Sequence, residues 1–145
     1  MSTLGLAQLV YERTPWLATV GGALGVVGWA PLAALTGLDG LIHTMSNQPD
    51  GSTYAELLDA FYHSPLMLTF LLIYIIGHLL TYVVLGVALD RTRLIARWAA
   101  WFIVASSPLT ILMFVLPGNP QSVGGVALGL LVIGSVPAAR AVLTR

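Results

Sequence analysis

A polar face lies on a stretch of sequence that is otherwise apolar. His78 stands near the middle of an uncharged run over residues 66–89. At 3.6 residues per turn, Tyr74, Thr81 and Tyr82 fall on the same helical face as His78. Such a face is costly against lipid, so we expect it to point into the interior of a helical assembly.

A second polar group follows further along the chain, where Ser106 and Ser107 precede Pro108. Proline has no N–H to give to the carbonyl four residues back, so the carbonyl of Val104 is left free. Counted from the outer ends of their apolar runs, His78 and this carbonyl both lie about 18 Å deep. The sequence therefore predicts that these groups meet at one level.

Two interpretations of this cluster stay open. In the structural one, His78 donates a hydrogen bond to a freed carbonyl or to a serine and stabilises a kinked helical assembly. In the functional one, the cluster lines a cavity for a substrate, a lipid or a proton. The candidate ligand-binding residues are Tyr74, His78, Thr81, Tyr82, Ser106 and Ser107.

Two Asp-x-x-x-His pairs form a separate candidate site. Asp39 precedes His43 by four residues, and Asp59 precedes His63 by the same spacing. Carboxylate and imidazole groups are ligands for Zn²⁺ and related divalent ions, so the four residues would form a metal site if the pairs met. Alternatively, each Asp pairs locally with its own His on one helical turn.

Haem and enzyme chemistry receive less support. Bis-histidine haem ligation needs two imidazoles at one depth, and His63 would lie about 22 Å from His78 along a helix. Met113 lies near the outer end of its helix, which disfavours it as an axial ligand. The chain has no cysteine and no nucleophile–base–acid arrangement, so a non-enzymatic protein without a cofactor is expected.

The elements that must position these residues are membrane helices. The chain of 145 residues is 57% hydrophobic and 8% charged, whereas soluble domains carry about 25% charged residues. Helix starts are indicated by Thr14-Pro15 and Ser64-Pro65, and residues 117–120 (PGNP) indicate a tight hairpin. We expect an all-α integral membrane fold, a bundle of four transmembrane helices at about 16–38, 66–89, 98–116 and 123–139 in a single domain.

The predicted outer loop, residues 39–65, contains a short amphipathic helix. Thr53 and Glu56 have the spacing of a capping box. One apolar face follows, and such a helix is expected to lie along the outer membrane surface. Its members are Tyr54, Leu57, Leu58, Phe61 and Tyr62.

Positive charge is confined to one side of this arrangement. The chain has six basic and six acidic residues, which gives no reason to expect a nucleic-acid partner. The two outer connections contain no arginine, so the positive-inside rule places both termini in the cytoplasm. The basic residues are Arg13, Arg91, Arg93, Arg97, Arg140 and Arg145.

Small residues at a spacing of four indicate close helix packing. The motifs are Gly21xxxGly25, Gly125xxxGly129 and Gly134xxxAla138. They serve either packing within the chain or contacts with a second copy or a larger membrane-protein partner.

The segment IGHLLTYVVLGVALDRTRLIARWAAW, residues 76–101, resembles one found in small, uncharacterised multi-helix inner-membrane proteins of GC-rich bacteria. The resemblance implies a polytopic bacterial inner-membrane protein and carries no assigned activity. The functional expectation comes instead from the polar cluster, where we expect binding or transport of a small hydrophobic ligand or lipid. The alternatives are an accessory subunit of a membrane complex and a metalloprotein or enzyme that uses the outer Asp and His residues. The matching residues are Gly77, His78, Arg91, Arg93, Arg97, Trp98 and Ala99.

Overall fold

The computed structural model describes residues 3–48, 54–117 and 120–144, and within these ranges the chain is helical without strands. This confirms the all-α prediction. Among the described residues, three helices are long and apolar enough to cross a membrane: α2, α4 and the part of α6 from Ser122 to Leu143. The helices are α1 (Thr3–Tyr11), α2 (Pro15–Ser46), α3 (Ala55–Tyr62), α4 (Pro65–Thr92), α5 (Arg97–Val115) and α6 (Pro120–Leu143).

Both proline-marked helix starts are where the sequence places them. Helix α4 begins at Pro65, and the Ser64 hydroxyl accepts a 3.3 Å hydrogen bond from an amide of the first turn. Helix α2 begins at Pro15, but the Thr14 hydroxyl instead donates to the Val10 carbonyl, at 3.2 Å. Thr14 therefore fixes the turn between α1 and α2 instead of capping α2.

Helix α2 continues well past the predicted end of the first span. It runs to Ser46, so Asp39 and His43 lie on its last turns and not in a loop. The hydroxyls of Thr44 and Ser46 bond to carbonyls four residues back, at 2.9 and 2.8 Å, and nothing in this stretch interrupts the helix. The first sequence signal against further helix is Gln48-Pro49, because proline disfavours the α conformation of the residue before it.

The connection between α2 and α4 contains the expected short helix, α3. None of its residues is buried, so its apolar face is not covered by the described part of the chain. Thr53 of the predicted capping box lies outside the described residues, and Tyr54 occupies the cap position without a side-chain hydrogen bond. Gly118 and Asn119 of the predicted hairpin also lie outside the described residues.

The long helices pack in an open row. Helix α2 packs on α4, α4 on α5, and α5 on α6. Within the described chain, no Cα atom of α6 comes within 8 Å of one in α2 or α4. A gap therefore separates α6 from α2 and α4, and α1 fills one end of it through contacts with all three helices.

Helix α1 is a short, buried element that folds back against α2. Ala7 lies beside Gly22 and Thr3 lies beside Gly25, so the two helices are antiparallel. Leu6, Leu9 and Val10 are at most 2% exposed. The turn after α1 is tied to the end of α4 by Arg13, whose Nη1 donates to the Thr92 carbonyl at 2.7 Å.

The crossing of α2 and α4 depends on two glycines. A Cβ atom on Gly28 would lie 2.5 Å from both the Gly77 carbonyl carbon and the His78 nitrogen. A Cβ on Gly77 would lie 2.7 Å from the Gly28 Cα. Only glycine permits this backbone approach, which places Trp29 of α2 next to His78 of α4.

The predicted small-residue motifs divide into two groups. Gly21 and Gly25 face Leu85 of α4 and Thr3 of α1, and Gly134 faces the Ala99 carbonyl of α5. A Cβ on Gly125 or Gly129 would meet no described atom within 4 Å. The glycines that face other helices pack within the chain. Use of Gly125xxxGly129 by a partner stays a prediction. The members that serve intrachain packing are Gly21, Gly25, Gly134 and the buried Ala138.

The outward faces of the long helices are apolar. On α4, Leu72, Ile76 and Leu80 repeat every four residues and are 57%, 52% and 44% exposed. On α6, Val126 and Ile133 are exposed in the same way. Apolar side chains on the outside suit an environment of lipid and not of water.

Candidate ligand cavity

A cavity of about 450 Å³ lies where α2, α4, α5 and α6 face the gap. It is here called the first cavity. Five of the six residues predicted for ligand binding line it, and Trp29 and Thr110 join them. Helix α6 closes the opposite side with small and apolar residues. The five predicted lining residues are Tyr74, His78, Tyr82, Ser106 and Ser107, and those of α6 are Gly124, Ala127, Leu128 and Leu131.

Three aromatic rings surround the His78 imidazole. The ring centroids of Trp29, Tyr82 and Tyr74 lie 4.5, 5.1 and 5.3 Å from that of His78. Tyr74 also meets Trp29 edge to face at 6.2 Å. The wall formed by α2 and α4 is therefore rigid and aromatic, because each ring is held by at least one other.

Two nitrogen atoms of this wall are buried without a hydrogen-bond partner among the described residues. They are Nε1 of Trp29 and Nδ1 of His78. Tyr82 lies beside the indole as a weak hydrogen-bonding neighbour, but no acceptor meets the indole N–H in full hydrogen-bond geometry. An unsatisfied buried polar group costs about 1–3 kcal/mol.

The wall from α5 presents hydroxyl oxygens. The hydroxyl protons of Ser106 and Ser107 are donated to the carbonyls of Ile103 and Leu79, at 2.7 and 3.0 Å. Thr110 donates to the Ser106 carbonyl at 2.9 Å. Since these protons are already engaged, the oxygens of these cavity-lining residues are left to act as acceptors. The cavity thus has a donor on the α2 wall, at Trp29, and acceptors on the α5 wall.

The structural interpretation of His78 is only partly matched by these contacts. Ser107 does bond across from α5 to α4, but to the backbone of Leu79 and not to His78. His78 Nδ1 meets neither a serine nor a freed carbonyl. Thr81 does not line the cavity, because it is fully buried and its hydroxyl donates to the Gly77 carbonyl at 2.7 Å.

The first cavity carries no fixed charge. None of its lining residues is Asp, Glu or Arg, and the chain contains no lysine. A charged ligand would lose its hydration there without gaining a counter-charge. The cavity therefore suits a neutral ligand.

The outer Asp and His residues do not form a comparable site. No group of three or more His, Asp or Glu side chains comes together in the part of the chain that the structure describes. His63 Nδ1 donates to the Asp59 carbonyl at 2.8 Å and lies 3.5 Å from its carboxylate. His43 Nε2 accepts instead from Asn47 Nδ2 at 3.3 Å. Local contacts thus engage both histidines, and the metal site stays a prediction.

Trp29 is the residue of the aromatic wall that the sequence did not reveal. Tryptophan in membrane proteins concentrates at the two water interfaces, where Trp16 and Trp98 fit, so a tryptophan in the middle of a span was a usable signal. Its place in the cavity still depends on the Gly28–Gly77 approach, which spacing within one helix does not show.

Comparisons of this chain with protein-family models, with curated proteins and with solved structures give no match. Any functional assignment must therefore come from the chemistry of the cavity.

Proposed function

We propose that this protein is a bacterial inner-membrane protein with four spans, in which α5 is the fourth. Helix α5 has 19 residues and would extend about 28 Å, close to the roughly 30 Å of a hydrocarbon core. It packs between α4 and α6, both of which are long and apolar enough to span. A helix held between two spanning neighbours has the same depth to cross.

The proposed orientation places the arginine end of the helices in the cytoplasm. Arg13 contacts the end of α4, and Arg97 pairs with Asp90 at 3.2 Å, so these charges gather at one end of the row. Trp16 and Trp98 are exposed near the same end, as residues of an interfacial aromatic belt are. Helix α3 then lies at the outer surface with its apolar face toward the lipid.

The function that the cavity supports best is binding of a small, neutral, hydrophobic ligand or lipid, either as cargo or as a regulator. The observation that carries this proposal is the pair of unpartnered nitrogens at Trp29 and His78 inside an uncharged cavity. A ligand oxygen that accepts from the indole would recover part of their cost. A ligand hydroxyl could donate to the acceptor oxygens of α5 at the same time.

The test uses the fluorescence of Trp29 itself. A variant with Trp16, Trp98 and Trp101 changed to Phe leaves Trp29 as the only tryptophan, and the full-length protein is placed in lipid nanodiscs. The probe is para-bromophenol, which is neutral at pH 7, offers both a donor and an acceptor, and quenches tryptophan through its bromine. Quenching of Trp29 should saturate with probe concentration. His78→Phe should weaken the binding of para-bromophenol by about tenfold, the equivalent of one hydrogen bond.

The matched control keeps Trp101 as the only tryptophan. Trp101 is 48% exposed on the outside of α5 and does not line the cavity. Its quenching should rise without saturation, as partition of the probe into lipid predicts. If Trp29 and Trp101 show the same unsaturated quenching, the proposed binding site is refuted.

A further inference from the structure

A second cavity continues the first one along α6. It measures about 380 Å³ and shares Tyr82, Leu128 and Leu131 with the first cavity. Its lining reaches from α1 and along α6 as far as Ala139, next to the arginine end. From Gly124 to Ala139, α6 rises about 22 Å, so the two cavities form one groove of about that length.

The groove changes in chemistry along its length. Trp29, His78 and the α5 hydroxyls belong to the first cavity, whose Thr110 end lies toward the outer side of α5. The second cavity is lined by aliphatic side chains together with Tyr82 and Ser135. Polar groups at one end and aliphatic groups at the other match a molecule with one polar end and one apolar end.

Helix α1 limits the width of the second cavity. Leu6 lines the second cavity and is 1% exposed, so α1 closes this side of the gap between α6 and its neighbours. About 380 Å³ spread along α6 from Leu128 to Ala139, a rise of about 16 Å, gives a narrow groove, open on the side where Val132 and Val136 are exposed. Such a groove matches one hydrocarbon chain more closely than the two chains of a phospholipid.

We infer that the ligand is a neutral, single-chain amphiphile whose head lies in the first cavity and whose chain lies in the second. The inference depends on the proposed ligand-binding function and specifies its ligand class. The head faces the outer side and the chain points toward the arginine end.

The experiment compares a short and a long probe with the same head. Para-ethylphenol and para-dodecylphenol compete with para-bromophenol for quenching of Trp29 in the single-tryptophan protein. Ser135→Phe and Val136→Phe each place a ring in the second cavity, and Val136 is already 45% exposed, so its variant disturbs packing least. Ile133→Phe, on the lipid-facing side of the same helix, is the matched control.

The expected result is selective. Either cavity-filling variant should weaken the binding of para-dodecylphenol by at least about tenfold relative to Ile133→Phe. Tenfold corresponds to a loss of about 1.4 kcal/mol in binding free energy. Para-ethylphenol should keep its affinity in all variants, which also shows that the first cavity is intact. If para-dodecylphenol binds the cavity-filling variants as it binds Ile133→Phe, the inference is overturned. That outcome is distinct from failure of the proposed function, in which para-bromophenol would not saturate in the parent protein.

Discussion

The backbone contact between Gly28 and Gly77 makes a quantitative prediction about Gly28→Ala. The new Cβ would lie 2.5 Å from two backbone atoms of α4, whereas carbon atoms in contact prefer about 3.5–4.0 Å. Backbone atoms cannot rotate away, so the helices must separate by about 1 Å or more. Overpacking of this kind costs about 1–3 kcal/mol. Alanine recovers up to about 1 kcal/mol of helix propensity, which leaves a net loss of up to about 2 kcal/mol.

Gly37→Ala on the same helix is the matched control. A Cβ there would meet no described atom within 4 Å, so only the gain in helix propensity applies. Because that gain is common to both variants, the difference between them should equal the overpacking cost, about 1–3 kcal/mol. The free energy of unfolding would be measured by titrating sodium dodecyl sulfate into protein in mild detergent, with circular dichroism as the signal. Stabilities of the two variants within about 0.5 kcal/mol of each other would refute the close approach.

Three further predictions concern contacts between helices and orientation. Ser107→Ala removes an interhelical hydrogen bond and should cost about 0.6 kcal/mol in the same titration, more than Thr69→Ala, whose bond lies within one helix. Arg13→Ala removes the hydrogen bond to the end of α4 and should cost about 1 kcal/mol; an unchanged unfolding curve would contradict that role. The chain has no cysteine, so a membrane-impermeant maleimide should label Gln48→Cys in intact cells and Arg91→Cys only after lysis; the reverse pattern would invert the topology.

The sequence was sufficient for the helical class and for five of the eleven residues that line the first cavity. Residues 74, 78 and 82 are spaced by four, so one helical face contains them whatever the neighbours are, and the structure brings them to the cavity. Thr81 lies about 100° away from Tyr82 around the helix axis. That rotation turns it toward α2, where its hydroxyl is satisfied by its own helix.

Features that depend on contacts between distant segments could not be predicted. Thr3–Tyr11 is too short for a span, and nothing in its composition shows that Gly22 and Gly25 provide room for it against α2. The open row of helices escaped prediction for the same reason, because a hydrophobic pattern gives the length of each helix and not its neighbours. The second cavity has Leu6 in its lining because α1 enters the gap between α6 and the other helices.

Native mass spectrometry tests the central claim most directly. Protein released from its native membranes, without exchange into excess detergent, should carry one neutral, single-chain amphiphile per chain. Trp29→Phe combined with His78→Phe should remove that mass, because both unpartnered nitrogens are then gone, while Trp101→Phe should retain it. A folded parent protein that carries no bound molecule, or a molecule retained equally by all variants, would contradict the account.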